Sequence, residues 1–255
     1  MKKEERKLIP DGSDNYNENL PVELTGMFDL SENVEGIIPR LPQIKIMHQN
    51  QAYVMPDGSI VKQFEAIMLD SNKVNAYWEK SFDETGGGII PDCFSLDGIN
   101  PADYCTSPQN QSCKGRVLPD GTTISGCPKN EYGTHIKGRG KACKNMRRIH
   151  VILPEYNLPV RITAPPSNVK KVDDFIWDLS TLRGKPFQLV ITKFTLTEAK
   201  NKDGVAYSQI DLEDGALITD RGQAQQIKDF LTKYKSAMRG QDIVHDEYGS
   251  TEEGL

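Results

Sequence analysis

Five cysteines, Cys93, Cys105, Cys113, Cys127 and Cys143, crowd the middle of this 255-residue chain. Thiolates bind soft divalent ions. Four of them enclosing Zn2+ as a tetrahedron can order a segment that has no apolar core of its own. No C-x2-C knuckle is present, so spacing alone does not state the ligand pairs. The run KGRVLPDGTTISG between Cys113 and Cys127 reads as a small hairpin, with Arg116 to Leu118 and Thr122 to Ser125 joined by a Pro-Asp-Gly turn. Facing residues of an antiparallel pair lie about 4.5–5.5 Å apart, so this hairpin would return Cys127 to Cys113. Cys93 and Cys143 would then converge from the two ends of the insert, with Cys105 or His135 able to replace one member. The expectation is a structural zinc. A catalytic zinc is disfavoured, because such sites use His and carboxylate ligands and the four histidines are scattered. Unrelated reduced thiols are the plainer alternative.

A cationic run follows the cysteines closely. The formal net charge is -5, yet between Gln111 and His150 nine lysines and arginines face only two carboxylates, so the charge is polarised along the chain. In KGRGKACKNMRR, Lys137, Arg139, Lys141, Lys144, Arg147 and Arg148 alternate in part with glycine, which lets a backbone approach closely while the cations neutralise phosphates. Bases of an unpaired strand need aromatic platforms. Tyr77, Trp78 and Tyr132 are the candidates nearest the run, with Tyr53, Phe64 and Tyr156 further off. For any one of these rings core packing is the simpler role, and a basic run is often only a solvated face. Trp177, on an apolar helix face, is expected in the core.

The elements that must position these residues are β-rich. Residues 1–35 read as a flexible acidic arm and residues 241–255 as an acidic tail, with the folded domain over 36–240 and the cysteine insert at about 85–145. QAYVM and SIVKQFEAIML flank a Pro56-Asp57-Gly58 turn, a hairpin signal; Asn72 to Trp78 reads as a turn or short helix. RRIHVIL and LPVRITAP form a second strand pair. Ser167 could cap a helix carrying Val169, Val172, Phe175, Ile176, Leu179 and Leu182 on one face. A further hairpin turns at Asn201 to Gly204, and a last helix capped at Thr219 or Asp220 carries Ile227, Phe230, Leu231, Tyr234 and Met238 before Gly240. Three strands of meander, a helix and a closing hairpin are the element order of an OB-fold barrel. The expected fold is therefore a β-rich α+β domain: a small OB-like barrel with a zinc-binding insert and a C-terminal helix.

The runs NAYWEKSFDE, PDCFSLDGINP, CPKNEYGT, GRGKACKNMRRIHVI and LPVRITAPPS resemble a family of bacteriophage and prophage proteins associated with single-stranded-DNA-binding proteins. The likeness spans roughly Tyr77 to Leu212. More broadly the arrangement is similar to zinc-containing OB-fold proteins that coat single-stranded DNA in phage replication. That resemblance implies Cys93, Cys113, Cys127 and Cys143 as ligands and the six cations of the basic run as contacts to the nucleic-acid backbone. It also implies an acidic tail that recruits replication or recombination enzymes and competes with DNA.

No phosphate-loop, HExxH, Ser/His/Asp or two-metal carboxylate pattern is present, so a non-enzymatic binding protein is expected. The charged start has no apolar stretch behind it, and nothing approaches the roughly 20 apolar residues of a membrane span. A reducing cytoplasm, the host's if phage-encoded, is the expected location. The leading reading is a single-stranded DNA-binding protein of replication, recombination or repair. The competing one is a zinc-stabilised adaptor that regulates a host or phage enzyme.

Overall fold

The computed structural model describes residues 40–243, apart from positions 49, 81–83, 85–88, 103–104, 106–111, 118, 125, 136–139, 157, 201–203 and 205. The N-terminal arm and most of the acidic tail lie outside the described residues. The strands are β1 (Gln43–Met47), β2 (Ala52–Val54), β3 (Ile60–Val61), β4 (Gln63–Tyr77), β5 (Cys93–Ser95), β6 (Arg116–Val117), β7 (Thr123–Ile124), β8 (Lys144–Ile152), β9 (Val160–Ala164), β10 (Val190–Lys200) and β11 (Ala206–Leu217). Helix α1 (Pro166–Trp177) separates β9 from β10, and α2 (Arg221–Arg239) follows β11.

β4 is the spine of the sheet. Its first residues pair with β10, Ile67 to Ala76 pair with β8, and its end also pairs with β5. The expected turn at Asn72 to Trp78 is therefore strand as far as Tyr77. The polar run DSNK resembles a turn in sequence, but β8 supplies its ladder of hydrogen bonds. A register shift between Met68 and Asp70 marks a β-bulge, which reverses the side to which later residues point.

The spatial order is β11-β10-β4-β8-β9-β1-β2-β3, with β5 on β4 and β6–β7 as a separate ribbon. This β-rich sheet curls into a half-barrel and encloses a first core of Ile44, Met68, Ile149, Ile162, Phe194 and Ile210, sealed by Val172 of α1. On the opposite face α2 contributes Ile227 and Met238 to a second core with Ile67, Leu69 and Ile152. Among the described residues no helix is long and apolar enough to cross a membrane.

Local chemistry explains the connections. Gly58 takes φ +85° in the β2–β3 turn, where the Asp57 carboxylate accepts from the Ser59 N–H at 2.8 Å. Helix α1 starts two residues earlier than expected, capped at Pro165 rather than Ser167, with Pro166 at its first position, where a missing N–H costs nothing. The Asp220 carboxylate caps α2 by accepting from the Gln223 N–H at 2.8 Å. Leu182, expected on the buried face of α1, is 71% exposed, because Asp178–Leu182 winds as a π-turn that breaks the stripe after Leu179.

The curl is held by side chains reaching between strands that are not neighbours. Asn168, fully buried at the start of α1, donates to the Ser208 carbonyl at 3.0 Å and accepts from the Ile210 N–H at 2.8 Å. His48, just past β1, accepts from the Ser208 N–H through Nδ1 at 3.2 Å, and its carbonyl accepts from the Ser208 hydroxyl at 3.1 Å. The Tyr53 hydroxyl of β2 donates to the Thr195 carbonyl of β10 at 3.1 Å. The edge of β11 is thus capped by side chains at Ser208 and Ile210.

Replacing Asn168 with Ala would strand two buried backbone groups, each costing about 1–3 kcal/mol. Denaturant unfolding should then show a loss of about 2–5 kcal/mol, whereas a loss under about 1 kcal/mol would mean the edge closes without this amide.

Candidate nucleic-acid interface

The cysteine insert is ordered by hydrogen bonds and a disulfide. The Asp97 carboxylate accepts from the Ile99 and Asn100 N–H groups, each at 2.7 Å, and from the Ser95 hydroxyl at 2.9 Å. Burial would raise this carboxyl, but the converging donors outweigh it and hold it below its ordinary range. Further on, the Cys113 N–H donates to the Ile99 carbonyl at 2.7 Å and the Cys143 N–H to the Lys129 carbonyl at 2.8 Å. The Asn130 amide donates to the Cys113 carbonyl at 2.6 Å.

This arrangement corrects the expected zinc site. Cys93 is bonded to Cys105, while Cys113, Cys127 and Cys143 form no disulfide. The described residues contain no group of three or more His, Cys, Asp or Glu side chains that could hold a metal ion. Cys113, Cys127 and Cys143 are neighbours, and sheet register explains why Cys93 does not join them. Cys93 lies opposite Tyr77 on one side of β4, whereas β8, which Cys143 precedes, lies on the other. Two strand spacings, about 9.5 Å, separate those positions. The β6–β7 hairpin does form, with Arg116 opposite Ile124 and Val117 opposite Thr123. Burial, followed by the neighbouring thiols Cys113 and Cys127, pushes the Cys143 thiol up to about 12, and burial likewise raises Cys113. Both are held as neutral thiols.

Where the hairpin meets the sheet and α1, a cleft of about 410 Å³ opens. Its lining includes Lys73, Lys114 and Lys141 with the amides of Asn75, Asn130 and Asn145, and Glu131 is the carboxylate among the lining residues. The Lys141 ammonium donates to Asn130 Oδ1 at 3.3 Å and lies 5.0 Å from the ring centre of Tyr132, which is 83% exposed. Lys129 sits 4.8 Å over the ring of half-buried Tyr77. Trp78 donates its indole N–H to the Ile89 carbonyl at 3.2 Å and packs against a third core around Val74, Phe94 and Met146. Of the three expected platforms, Tyr132 is the one presented outward.

The basic run divides. Lys137 and Arg139 lie outside the described residues. Lys141 faces the cleft, and Lys144 is half-buried at the start of β8. Arg147 forms an ion pair with Asp173 of α1 at 3.1 Å, and Lys73 joins the same carboxylate at 3.2 Å. The expected phosphate contact of Arg148 is corrected: its side chain is fully buried and donates to the carbonyls of Gln241 and Asp242 at 2.6 and 2.8 Å. Lys73, Lys114, Asn75, Asn130 and Asn145 were not singled out by sequence. Once Asn72 to Tyr77 is read as strand, alternation after the bulge brings Lys73 and Asn75 to one face.

The other face of the same strands is polar and covered. Asp70, His150 and Arg161 form one row across β4, β8 and β9; Asn72, Arg148 and Thr163 form the next. Gln241 to Ile243 straps this surface, with Ile243 fully buried and Arg161 donating to Gln241 Oε1 at 3.2 Å. Arg239 grips the Asp70 carboxylate through two contacts of 2.7 Å. Asn72 Oδ1, Thr163 Oγ1 and both ring nitrogens of His150 find no hydrogen-bond partner among the described residues. Burial first, then the charge of Arg148, lowers His150 to about 3.

No family model matches the chain, and no curated protein or solved structure matches it either.

The unfolded chain protonates His150 near 6.5, while the folded protein keeps the ring neutral down to about 3. This contribution to stability is therefore complete above pH 6.5 and is lost as pH falls toward 3. Thermal or denaturant unfolding should reveal a loss of about 1.4 kcal/mol per pH unit between about pH 6 and about pH 5, and His150→Gln should flatten that slope. An unchanged slope in the variant would assign the acid sensitivity to other groups.

Proposed function

We propose that this protein is a non-enzymatic single-stranded nucleic-acid-binding protein, with DNA as its ligand. The observation that carries the reading is the cleft between the cysteine insert and the sheet. Three lysines and three amides line it, and the exposed Tyr132 ring stands beside it against Lys141, which together supply both elements that an unpaired strand needs. A duplex would hide its base faces from such a ring.

The strand order supports an OB-like barrel beneath it. β4, β8 and β9 correspond to the three-strand meander, α1 to the following helix and β10–β11 to the closing hairpin, with neighbours in the order β11-β10-β4-β8-β9. The cysteine insert then replaces the loop between the first two barrel strands, one of the loops that OB-folds use to contact oligonucleotides. The usual ligand face, on the second and third strands, would here be that of Arg148, His150, Arg161 and Thr163. The C-terminal strap buries that face, which favours the insert cleft as the binding route. The family likeness of the cysteine and GKACK runs suggests a role in phage DNA replication, recombination or repair, with partner proteins met through the acidic tail.

Fluorescence anisotropy of labelled oligo-dT across a salt series, against a duplex of equal length, tests the proposal. Binding should prefer the single strand and weaken steeply with salt. The double variant Lys114→Glu, Lys141→Glu should bind at least about tenfold more weakly and lower the salt slope by about 1.4, from two lost phosphate contacts at about 0.7 each. No binding at low salt, or equal binding of the duplex, would overturn it.

A further inference from the structure

Trp177 is 62% exposed, contrary to its expected place in the core. The cause is helical periodicity: α1 turns Asn168, Val172 and Leu179 into the core, and at 3.6 residues per turn Trp177 falls on the other side of the helix. An exposed indole presents a flat apolar face on which another ring can stack.

The indole is connected to the cleft. Val169 lines the cleft, Asp173 is held by Lys73 and Arg147, and Trp177 follows at the same four-residue spacing. Residues four apart lie on one side of a helix, so these three form a stripe along α1. At 1.5 Å per residue the indole stands about 12 Å beyond Val169, within reach of a strand leaving the cleft.

Carboxylates along this path are already neutralised. Asp173 has Lys73 and Arg147, and Asp174 has Lys170. Asp178 has Arg183 at 2.6 Å, and Asp214 has Arg183 and Lys185 at 2.8 and 3.4 Å. A phosphate backbone would meet each of these carboxylates already matched by a cation. The apolar patch itself is small: Trp177 and 71%-exposed Leu182 are set among these ion pairs. Two such side chains fall far short of the roughly 800 Å² per partner that a stable protein interface buries, but they suit the flat face of one or two bases.

We propose that Trp177 is a stacking platform on which a single strand, after leaving the cleft along α1, places an unpaired base. This rests on the single-strand reading of the cleft and extends its track by a second contact of a different kind.

Oligo-dT titrated into the full chain should quench tryptophan fluorescence, and only Trp78 and Trp177 can report. Trp177→Phe should keep most of the affinity but lose most of the quenching. Trp177→Ala should bind at least about fivefold more weakly, as loss of one stacked base predicts. Its salt slope should stay unchanged because no phosphate contact is removed, unlike that of the Lys114/Lys141 double variant. Since the ring is exposed, both variants should melt with the wild type. Wild-type affinity in Trp177→Ala, or full quenching in Trp177→Phe, would overturn the platform while leaving the cleft reading intact. A wild type that binds no oligonucleotide in the anisotropy assay would remove both.

Discussion

One buried amide does for β11 what a neighbouring strand would. Asn168 offers β11 a donor and an acceptor in strand-like alternation, so at Ser208 and Ile210 the sheet ends against a helix with its edge groups bonded. The same amide fixes where α1 begins. The position of α1 in turn determines that Val172 seals the first core, that Asp173 meets Lys73 and Arg147, and that Val169 walls the cleft. An aliphatic side chain there would fill the space but leave β11 unpaired.

The two faces of the sheet near its cysteine end have diverged in character. One turns lysine and asparagine toward the cleft. The other buries arginine, histidine, asparagine and threonine beneath a short length of main chain. Arg148 makes this tolerable, because its planar guanidinium reaches two successive carbonyls at once. A lysine at this position would supply a point charge without that fork. Gln241 contributes from the other side, its side-chain oxygen accepting from the Leu41 N–H and from Arg161. The end of the described chain is thereby tied to its beginning.

Much of this was legible in the sequence, for physical reasons that differ by element. Pro56-Asp57-Gly58 and the Asp220 cap are local chemistry, and local chemistry survives folding. The stripe from Ile227 to Met238 has one period and one apolar face, so α2 could be read directly. Asn72 to Tyr77 could not, because a strand bulged at Leu69 and paired on both sides tolerates polar residues that otherwise signal a turn. The cysteines misled because spacing carries no register: the hairpin was foreseeable from its turn, but the two strand widths between Cys93 and Cys143 were not. Arg148 looked like its neighbours in the basic run until β8 assigned alternate residues to opposite faces. Trp177 was misplaced because its size argued for burial, whereas the helical period that buries Val172 and Leu179 sets it on the other side of α1.

The bulge between Met68 and Asp70 gives the far half of β4 a parity. With the extra residue present, even-numbered positions from Asp70 to Ala76 lie on the strapped side, while Lys73 and Asn75 open onto the cleft. Shortening the strand there by one residue would exchange the two sets. Lysine and asparagine would be driven under Ile243, and Val74 and Ala76 would be turned outward. No chemical group would be lost. A single unit of chain length therefore sets the handedness of this surface, and natural insertions or deletions at that point should come in pairs.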